Sequence, residues 1–332
     1  MSLPLQLLTA LATQPAEQAW SSIFAHALEI CSQPIKESNA ANEVTRRDRE
    51  TAALDLFLAA AGWDLWAKYE NSAAHTAEHL ASWWAAQNGG RAVLILDGLS
   101  LRELPWILQG AGARGYQIAT IHVTGAELPA ETTPFAKALG FAQRSALENN
   151  AAGAVHKFPG ARTETVGIPW GDCAKLIGSD PLWVLWHHWP DQRVHELSVA
   201  GQGLGILTDE AAAQLQSDAF WQLVEHLTTG RRLVITSDHG YAASGLFADT
   251  AADDQARYLK DIFKSGRNVP ASNGEQAWIP PVDLAIGSRH GRYRYAVGRR
   301  KWKSQGGYPT LTHGGLSVLE VASPFIEIHR QA

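Results

Sequence analysis

Apolar residues recur at intervals of three and four through LPLQLLTALA, EQAWSSIFAHALEI, TAALDLFLAAAGWDLWAKY and TAEHLASWWAAQ, so residues 1–88 read as helices. Asn88-Gly89-Gly90 ends that stretch. Beyond it the texture changes to short apolar runs separated by helical segments, the pattern of parallel strands covered by helices on both faces. The runs fall at 91–96, 116–123, 182–186 (LWVLW) and 233–236 (LVIT), with a helix over DEAAAQLQSDAFWQLVEHL before the last of these. LSVLEVASPFIEI, from Leu316 onward, reads as a final strand at the sheet edge. Residues 241–310 are rich in Gly, Pro and Arg without a long periodic stretch, and are expected to form a lid or insertion over the site. The chain thus divides into a helical region over 1–90 and an α/β domain over 91–332.

Composition narrows the class. With 332 residues, 45% of them hydrophobic, the chain can bury a full-sized core. It has no run of eighteen apolar residues and no basic head before its first apolar stretch, so a cytoplasmic protein without membrane association is expected. Cys31 and Cys173 are too few for a disulfide framework or a thiolate metal site, and read as small buried side chains. A net charge of −5 excludes nucleic-acid binding through a whole-surface positive field. It leaves a local patch, RHGRYRYAVGRRKWK at 289–303, where Arg and Lys alternate with Tyr293, Tyr295 and Trp302. Two readings of it stay open: a hairpin with outward charges, or an element that contacts phosphate, with Arg292 and Arg294 binding substrate.

Three of the apolar runs lead into an aspartate: VLIL into Asp97, LWVLWHHWP into Asp191 and LVITS into Asp238. Ligands of open parallel sheets bind beyond the carboxyl ends of the strands, so these carboxylates should converge there, and their mutual repulsion calls for a bound cation. Histidines accompany them. Asp191 and His195 lie one helical turn apart, Asp238 and His239 are adjacent before Gly240, and His313 stands in a Thr-His-Gly-Gly turn. Six Asp and His ligands suffice for two divalent ions; oxygen and nitrogen donors without thiolate suit zinc, with manganese as the competitor. Such a pair activates a hydroxyl nucleophile and receives an anionic phosphoryl group.

In order and spacing, Asp-Gly after a strand, Asp-x-x-x-His, Ser-Asp-His-Gly and a late His-Gly-Gly, the chain resembles the alkaline phosphatase superfamily. THGGLSVLEVASPF resembles the closing segment of the PglZ domain. The resemblance covers residues 91–332. It implies an alkaline-phosphatase-like α/β/α sandwich with a mostly parallel sheet, and Asp191, His195 and His313 on one ion with Asp97, Asp238 and His239 on the other. Pro129-Ala130-Glu131-Thr132 resembles the Pro-x-x-Thr element of phosphodiesterase members, and Thr132 lies 35 residues beyond Asp97. Thr132 is then the nucleophile, forming a phospho-threonine, with Thr133 and Ser100 as weaker candidates. The implied activity is phosphodiester hydrolysis, on oligonucleotides or cyclic nucleotides, with phage-defence proteins as partners.

Rival readings are a phosphomonoesterase or phosphosugar mutase on the same metals, and a catalytically silent scaffold subunit. A monoester carries an extra anionic oxygen, so an Arg or Lys aimed into the crevice would favour the monoesterase. His187 and His188 sit at a strand end where one can face the crevice; His187 is taken as a substrate contact. His75-Thr-Ala-Glu78-His79 matches an inverted zinc-peptidase motif, but a polar helix face accounts for it. PglZ domains often carry Arg where this chain has Ser100, the nearest arginine being Arg102. That departure puts substrate contacts in doubt, not the metal ligands.

Overall fold

The computed structural model describes residues 3–330 except 152, 154, 201 and 272–277. Five helices lead: α1 (Leu5–Thr13), α2 (Ala16–Cys31), α3 (Ala40–Ala60), α4 (Trp63–Ser72) and α5 (Thr76–Ala86). The α/β part follows with β1 (Arg91–Leu96), α6 (Leu104–Ala113), β2 (Tyr116–Gly125), α7 (Thr132–Ala138), β3 (Arg162–Val166), α8 (Trp170–Leu176) and β4 (Leu182–His187). Next come α9 (Asp191–Glu196), α10 (Leu204–Gln216), α11 (Asp218–Thr228) and β5 (Arg232–Thr236). A smaller unit comprises β6 (Ala248–Asp249), α12 (Asp253–Phe263), β7 (Asn268–Pro270), β8 (Asp283–Ser288), β9 (Gly291–Ala296) and β10 (Arg300–Lys301), and α13 (Val318–Val321) and β11 (Ala322–Arg330) close the chain.

The main sheet runs β2-β11-β5-β1-β4-β3. Strands β5, β1, β4 and β3 are parallel, and β11 is antiparallel to both its neighbours. The fold is therefore mixed α/β with a mostly parallel central sheet, as the alternation of runs and helices implied. Successive side chains point to opposite faces, and the central strands β1, β4 and β5 are buried on both because helices cover both. Val93, Ile95, Val184, Trp186 and Val234 pack with α5 and α7 on one side. Ala92, Leu94, Trp183, Leu185, Leu233 and Ile235 pack with α6, α8, α10 and α11 on the other. Among the described residues, no helix is long and apolar enough to cross a membrane.

Several sequence expectations need correction. The last strand is not an edge. β11 lies between β2 and β5, with residues 322–328 buried, so β2 and β3 form the edges. The polar RTETV of β3, with exposed Arg162, disguised an edge strand that needs only one good neighbour. The helix read through DEAAAQLQSDAFWQLVEHL is two, because Ser217 is extended and its Oγ caps α11 by accepting from the Phe220 amide at 3.2 Å. Residues 241–310 contain the eleven-residue helix α12 and a three-stranded sheet β7-β9-β8, although 272–277 lie outside the described residues.

The helical start is joined to the rest by buried ion pairs as well as apolar contact. Asp48 on α3 accepts from Arg102 and Arg299, and Asp55 accepts from Arg299 Nε at 2.7 Å and from the Val318 amide at 2.7 Å. Beside them Glu103 accepts from the Tyr241 hydroxyl at 2.6 Å and the Ser100 amide at 2.9 Å.

Candidate active site

β1 delivers Asp97 into a fully buried position, and the Asp191 amide donates to the Asp97 carbonyl at 2.8 Å. Between them Gly98, at φ +71°, meets Asp191 so closely that a Cβ would lie 3.0 Å from the Asp191 Cβ. The Asp97 and Asp191 strand ends are thereby pressed together. Asp238 is anchored through one oxygen, Oδ1, which accepts from the Gly98 amide at 2.9 Å and the His239 amide at 3.0 Å. Gly240 follows, not for its bend but because a Cβ there would fall 2.2 Å from the Leu319 carbonyl oxygen.

The histidines point inward through their Nε2 atoms. His239 Nδ1 lies 2.8 Å from the Gly240 carbonyl, which leaves Nε2 at 3.5 Å from Asp238 Oδ2 and 3.8 Å from Asp97 Oδ1. His313 faces the Ala130 carbonyl with Nδ1 at 3.3 Å, and its Nε2 lies 3.6 Å from Asp191 Oδ1. His195, exposed on α9, brings Nε2 to 3.3 Å from both Asp191 Oδ2 and His313 Nε2. Ring nitrogens held from behind by carbonyls are oriented as metal-binding imidazoles are.

Two groups result in which ligand-capable atoms lie within 4.8 Å of one another: Asp191, His239 and His313, and Asp97, Asp238 and His239. His239 belongs to both, whereas the resemblance gave it to one ion only. Asp191 Oδ1, Asp238 Oδ2 and His239 Nε2 are buried and have no hydrogen-bond partner. Orphaned polar atoms of that kind are costly unless something binds them, and these three converge. The donor set therefore fits divalent cations.

Electrostatics agree with that fit. Burial, then the charges of Asp238 and Asp191, push Asp97 well above the usual carboxylate range. Burial alone would lower His239, but Asp238, Asp191 and Asp97 outweigh it and raise the imidazole to about 9. Burial opposes ionisation of Asp191 too; the hydrogen bond with His195 and the nearby His239 and His313 nevertheless hold it below its ordinary value. The cluster draws positive charge.

Thr132 opens α7, and its hydroxyl donates to Asp97 Oδ1 at 3.3 Å. Thr133 is exposed. Ser100 is occupied: its Oγ takes part in a capping box with Glu103 and accepts from the Arg102 guanidinium at 3.0 Å. Arg102 itself is buried against Asp48 and the Tyr241 carbonyl.

The substrate contacts expected from sequence are placed differently. Arg294 is buried and donates to Asp283 Oδ2 at 2.6 Å, and Arg292 is exposed on β9. Residues 283–296 do form a hairpin, with Asp283 and Arg294 buried and Arg289 and Arg292 exposed; Arg289 at its tip pairs with Glu78 at 2.7 Å and lies 3.5 Å from Glu127. His187 has both ring nitrogens engaged, with the Ile168 carbonyl at 2.8 Å and the Trp189 amide at 3.1 Å. His188, not His187, lines the cavity of about 620 Å³ that opens beside Thr132. No described residue of 241–310 lines that cavity. The segment instead braces the loop before Thr132, through Ser288 Oγ to the Leu128 carbonyl at 2.7 Å and Asn268 Nδ2 to Glu131 at 2.7 Å. His75 and His79 do not act together: His75 faces the Glu70 carbonyl and His79 meets His122 at 2.9 Å.

Arg144 was missed. Its guanidinium contacts Asp97 Oδ2 and lines the cavity, yet it stands in AQRSALENN, where no periodicity or motif marks it.

No protein-family model and no curated protein sequence matches the chain. Among solved structures it is similar to murine ectonucleotide pyrophosphatase/phosphodiesterase 5, at 14% identity over 73% of this chain and 88% of that one, with a TM-score of 0.45. An inactive threonine-to-alanine variant of that protein in complex with AMP gives the same identity, coverage and TM-score. The human protein of that name is 14% identical over 73% and 88%, with a TM-score of 0.41.

Proposed function

We propose that the chain is a metal-dependent phosphoric ester hydrolase of the alkaline phosphatase superfamily, with Thr132 as nucleophile. The observation that carries this reading is the group of three orphaned buried atoms, Asp191 Oδ1, Asp238 Oδ2 and His239 Nε2, beside Asp97, whose Oδ1 accepts from the Thr132 hydroxyl at 3.3 Å. Asp97, Asp191, His195, Asp238, His239 and His313 would hold two divalent ions, zinc or manganese. When bound, such ions lower the pKa of a hydroxyl and neutralise phosphoryl charge.

The chain's own residues supply the rest. Asp97 orients the Thr132 hydroxyl, and the loop before it is held by Ser288 on the Leu128 carbonyl and by Asn268 on the Glu131 side chain. The Thr132 Oγ–P bond forms as the ester P–O bond breaks; threonine gives up its proton and the departing alcohol takes one up. Water then cleaves the phospho-threonine, returning the hydroxyl and releasing phosphate or a monoester. The Pro-x-x-Thr element supports diester substrates such as oligonucleotides or cyclic nucleotides, and Arg144 in the cavity favours monoesters. The PglZ-like THGGLSVLEVASPF segment extends the proposal to a cytoplasmic enzyme working with phage-defence partners.

The test is hydrolysis of bis-p-nitrophenyl phosphate and p-nitrophenyl phosphate with zinc or manganese added separately. Thr132→Ala should lower kcat by about 10³-fold or more, the scale seen when other nucleophiles are removed, and Thr132→Ser should keep part of it. Turnover unchanged in Thr132→Ala would rule out the covalent route.

A further inference from the structure

Arg267 and Asn268, at the start of β7, line no part of the cavity beside Thr132, yet both press on the turn that carries His313. Asn268 Nδ2 has two hydrogens and two acceptors, Glu131 Oε1 at 2.7 Å and the Gly314 carbonyl at 3.2 Å. Arg267 Nε donates to Glu320 Oε1 at 2.7 Å, and the same oxygen accepts from the Gly315 amide at 2.8 Å. The fit is close enough to dictate both glycines of the Thr-His-Gly-Gly turn. A Cβ on Gly314 would fall 2.4 Å from Asn268 Nδ2, and one on Gly315 would fall 2.5 Å from Arg267 Nε. Gly314 also stands at φ +93°, where any other residue is strained.

The two side chains differ in what they join. Arg267 and Glu320 are fully buried and belong to the frame of the fold, whereas Asn268 is half-buried and bridges two functional segments. Glu131 precedes Thr132 and Gly314 follows His313, so one amide group ties the nucleophile's loop to the turn of a metal ligand. A second tie runs beside it, the Ala130 carbonyl facing His313 Nδ1 at 3.3 Å. We propose that Asn268 is a positioning residue, which sets His313 in register with Thr132 and through which the small unit governs how tightly the Asp191, His239 and His313 group holds its cation. Outer partners that orient metal-binding imidazoles contribute on the order of 10- to 100-fold in metal affinity. The proposal rests on the metal-dependent reading above and names a residue of the small unit that serves it. Its sign separates it from plain electrostatics. Asn268→Asp keeps the shape of the side chain, loses both donated hydrogen bonds and adds a negative charge beside Glu131. The added charge by itself would draw a cation in, whereas loss of the grip loosens the turn.

The experiment titrates chelator-treated wild type, Asn268→Asp, Asn268→Ala and His313→Ala with zinc in a calorimeter, and with cobalt under visible absorption, which reports the geometry of each bound ion. Wild type should take up two ions. Both Asn268 variants should hold one of them about tenfold or more weaker, the same ion that His313→Ala loses, and the other within about threefold. Their cobalt spectra should change in the band that His313→Ala removes, with circular dichroism as in wild type. On whichever nitrophenyl ester wild type cleaves, at saturating zinc, kcat should fall by about tenfold or more while KM moves under about threefold, since Asn268 does not line the cavity. Asn268→Asp combined with Glu131→Gln reverses donor and acceptor, and should recover part of the lost affinity. Zinc affinity in Asn268→Asp equal to or above wild type, or both ions weakened alike, would overturn the assignment. So would unfolding of both Asn268 variants, which would make Asn268 a support of the fold. Two ions in wild type with no change in either Asn268 variant would sink the role of Asn268 alone, whereas no ion in wild type would sink the hydrolase reading and this role with it.

Discussion

Two sets of buried carboxylates stand in this protein, and they are treated in opposite ways. Around Asp48 and Asp55 every carboxylate oxygen has a donor, supplied by Arg102, Arg299 and the Val318 amide. Around Asp97, Asp191 and Asp238 the arginine is single, two carboxylate oxygens and an imidazole nitrogen go without partners, and the pull on protons is strong. Asp97 and Asp238 are buried as deeply as Asp48 and Asp55, and Asp191 is partly buried. The difference is that the first set is finished by the polypeptide itself, and the second is not, its donor set being one that fits divalent cations. A buried charge without its partner is among the more expensive features a fold can keep, so the second set points to a purpose other than stability.

The sharpest way to test the comparison is to break the finished set. Arg102→Met takes the donor from Asp48 Oδ1, leaving Arg299 on Oδ2, and should cost up to about 3–5 kcal/mol, the scale of removing one partner of a buried pair, read as a lower midpoint in urea unfolding. The unfinished set should respond with the opposite sign. Asp238→Asn keeps the Oδ1 acceptor for the Gly98 and His239 amides and removes a repelling charge, so the chelator-treated variant should be at least as stable as wild type. Zinc or manganese should stabilise wild type, by about 2.7 kcal/mol at a hundred times the Kd, and should do little for Asp238→Asn. Absence of metal on elemental analysis, with no thermal shift on titration, would make the two sets alike and remove the basis of the proposed function.

The smallest effect lies at the border of the finished set. Burial raises the Glu103 carboxyl from its ordinary value to about 7, against the hydrogen bond from Tyr241 and the charge of Arg102. Between about pH 4.5 and 7 the native protein holds a proton that the unfolded chain releases, so this group's contribution to stability is full below that window and is lost as pH rises through it. Glu103→Gln should flatten the fall of stability with pH over that interval. An unaltered slope would mean that Glu103 is ionised in the fold and belongs with the compensated carboxylates.

The sequence made the parallel core legible because runs such as VLIL and LVIT are apolar on both faces, and the Asp residues ending them could be placed by topology alone. Polar exceptions were not legible. β3 carries Arg, Thr and Glu, and β11 was misplaced because an apolar strand does not announce how many neighbours it has. At the site, motif order brought forward the six Asp and His residues and Thr132. Arg144 was hidden because what recruits it is proximity across the sheet's end, which local pattern does not encode; His188 was legible as one of a pair, but not as the one that faces the cavity. Arg294 failed in the other direction. Its charge looked free in sequence, and Asp283, eleven positions earlier, takes it.

The place of β11 carries a consequence for biosynthesis. β2, about a third of the way along the chain, reaches the rest of the sheet only through β11, since β5 does not pair with it. While a ribosome has yet to release residues 322–330, β2 has an open edge and the helices that pack on its end have no complete floor. A nascent chain would therefore assemble β1, β3, β4 and β5 first and admit β2 last, through contacts separated by some two hundred residues, which are slow to form and leave apolar edges exposed meanwhile. Truncations within β11 should be met by chaperones and proteases rather than appear as a slightly weaker enzyme.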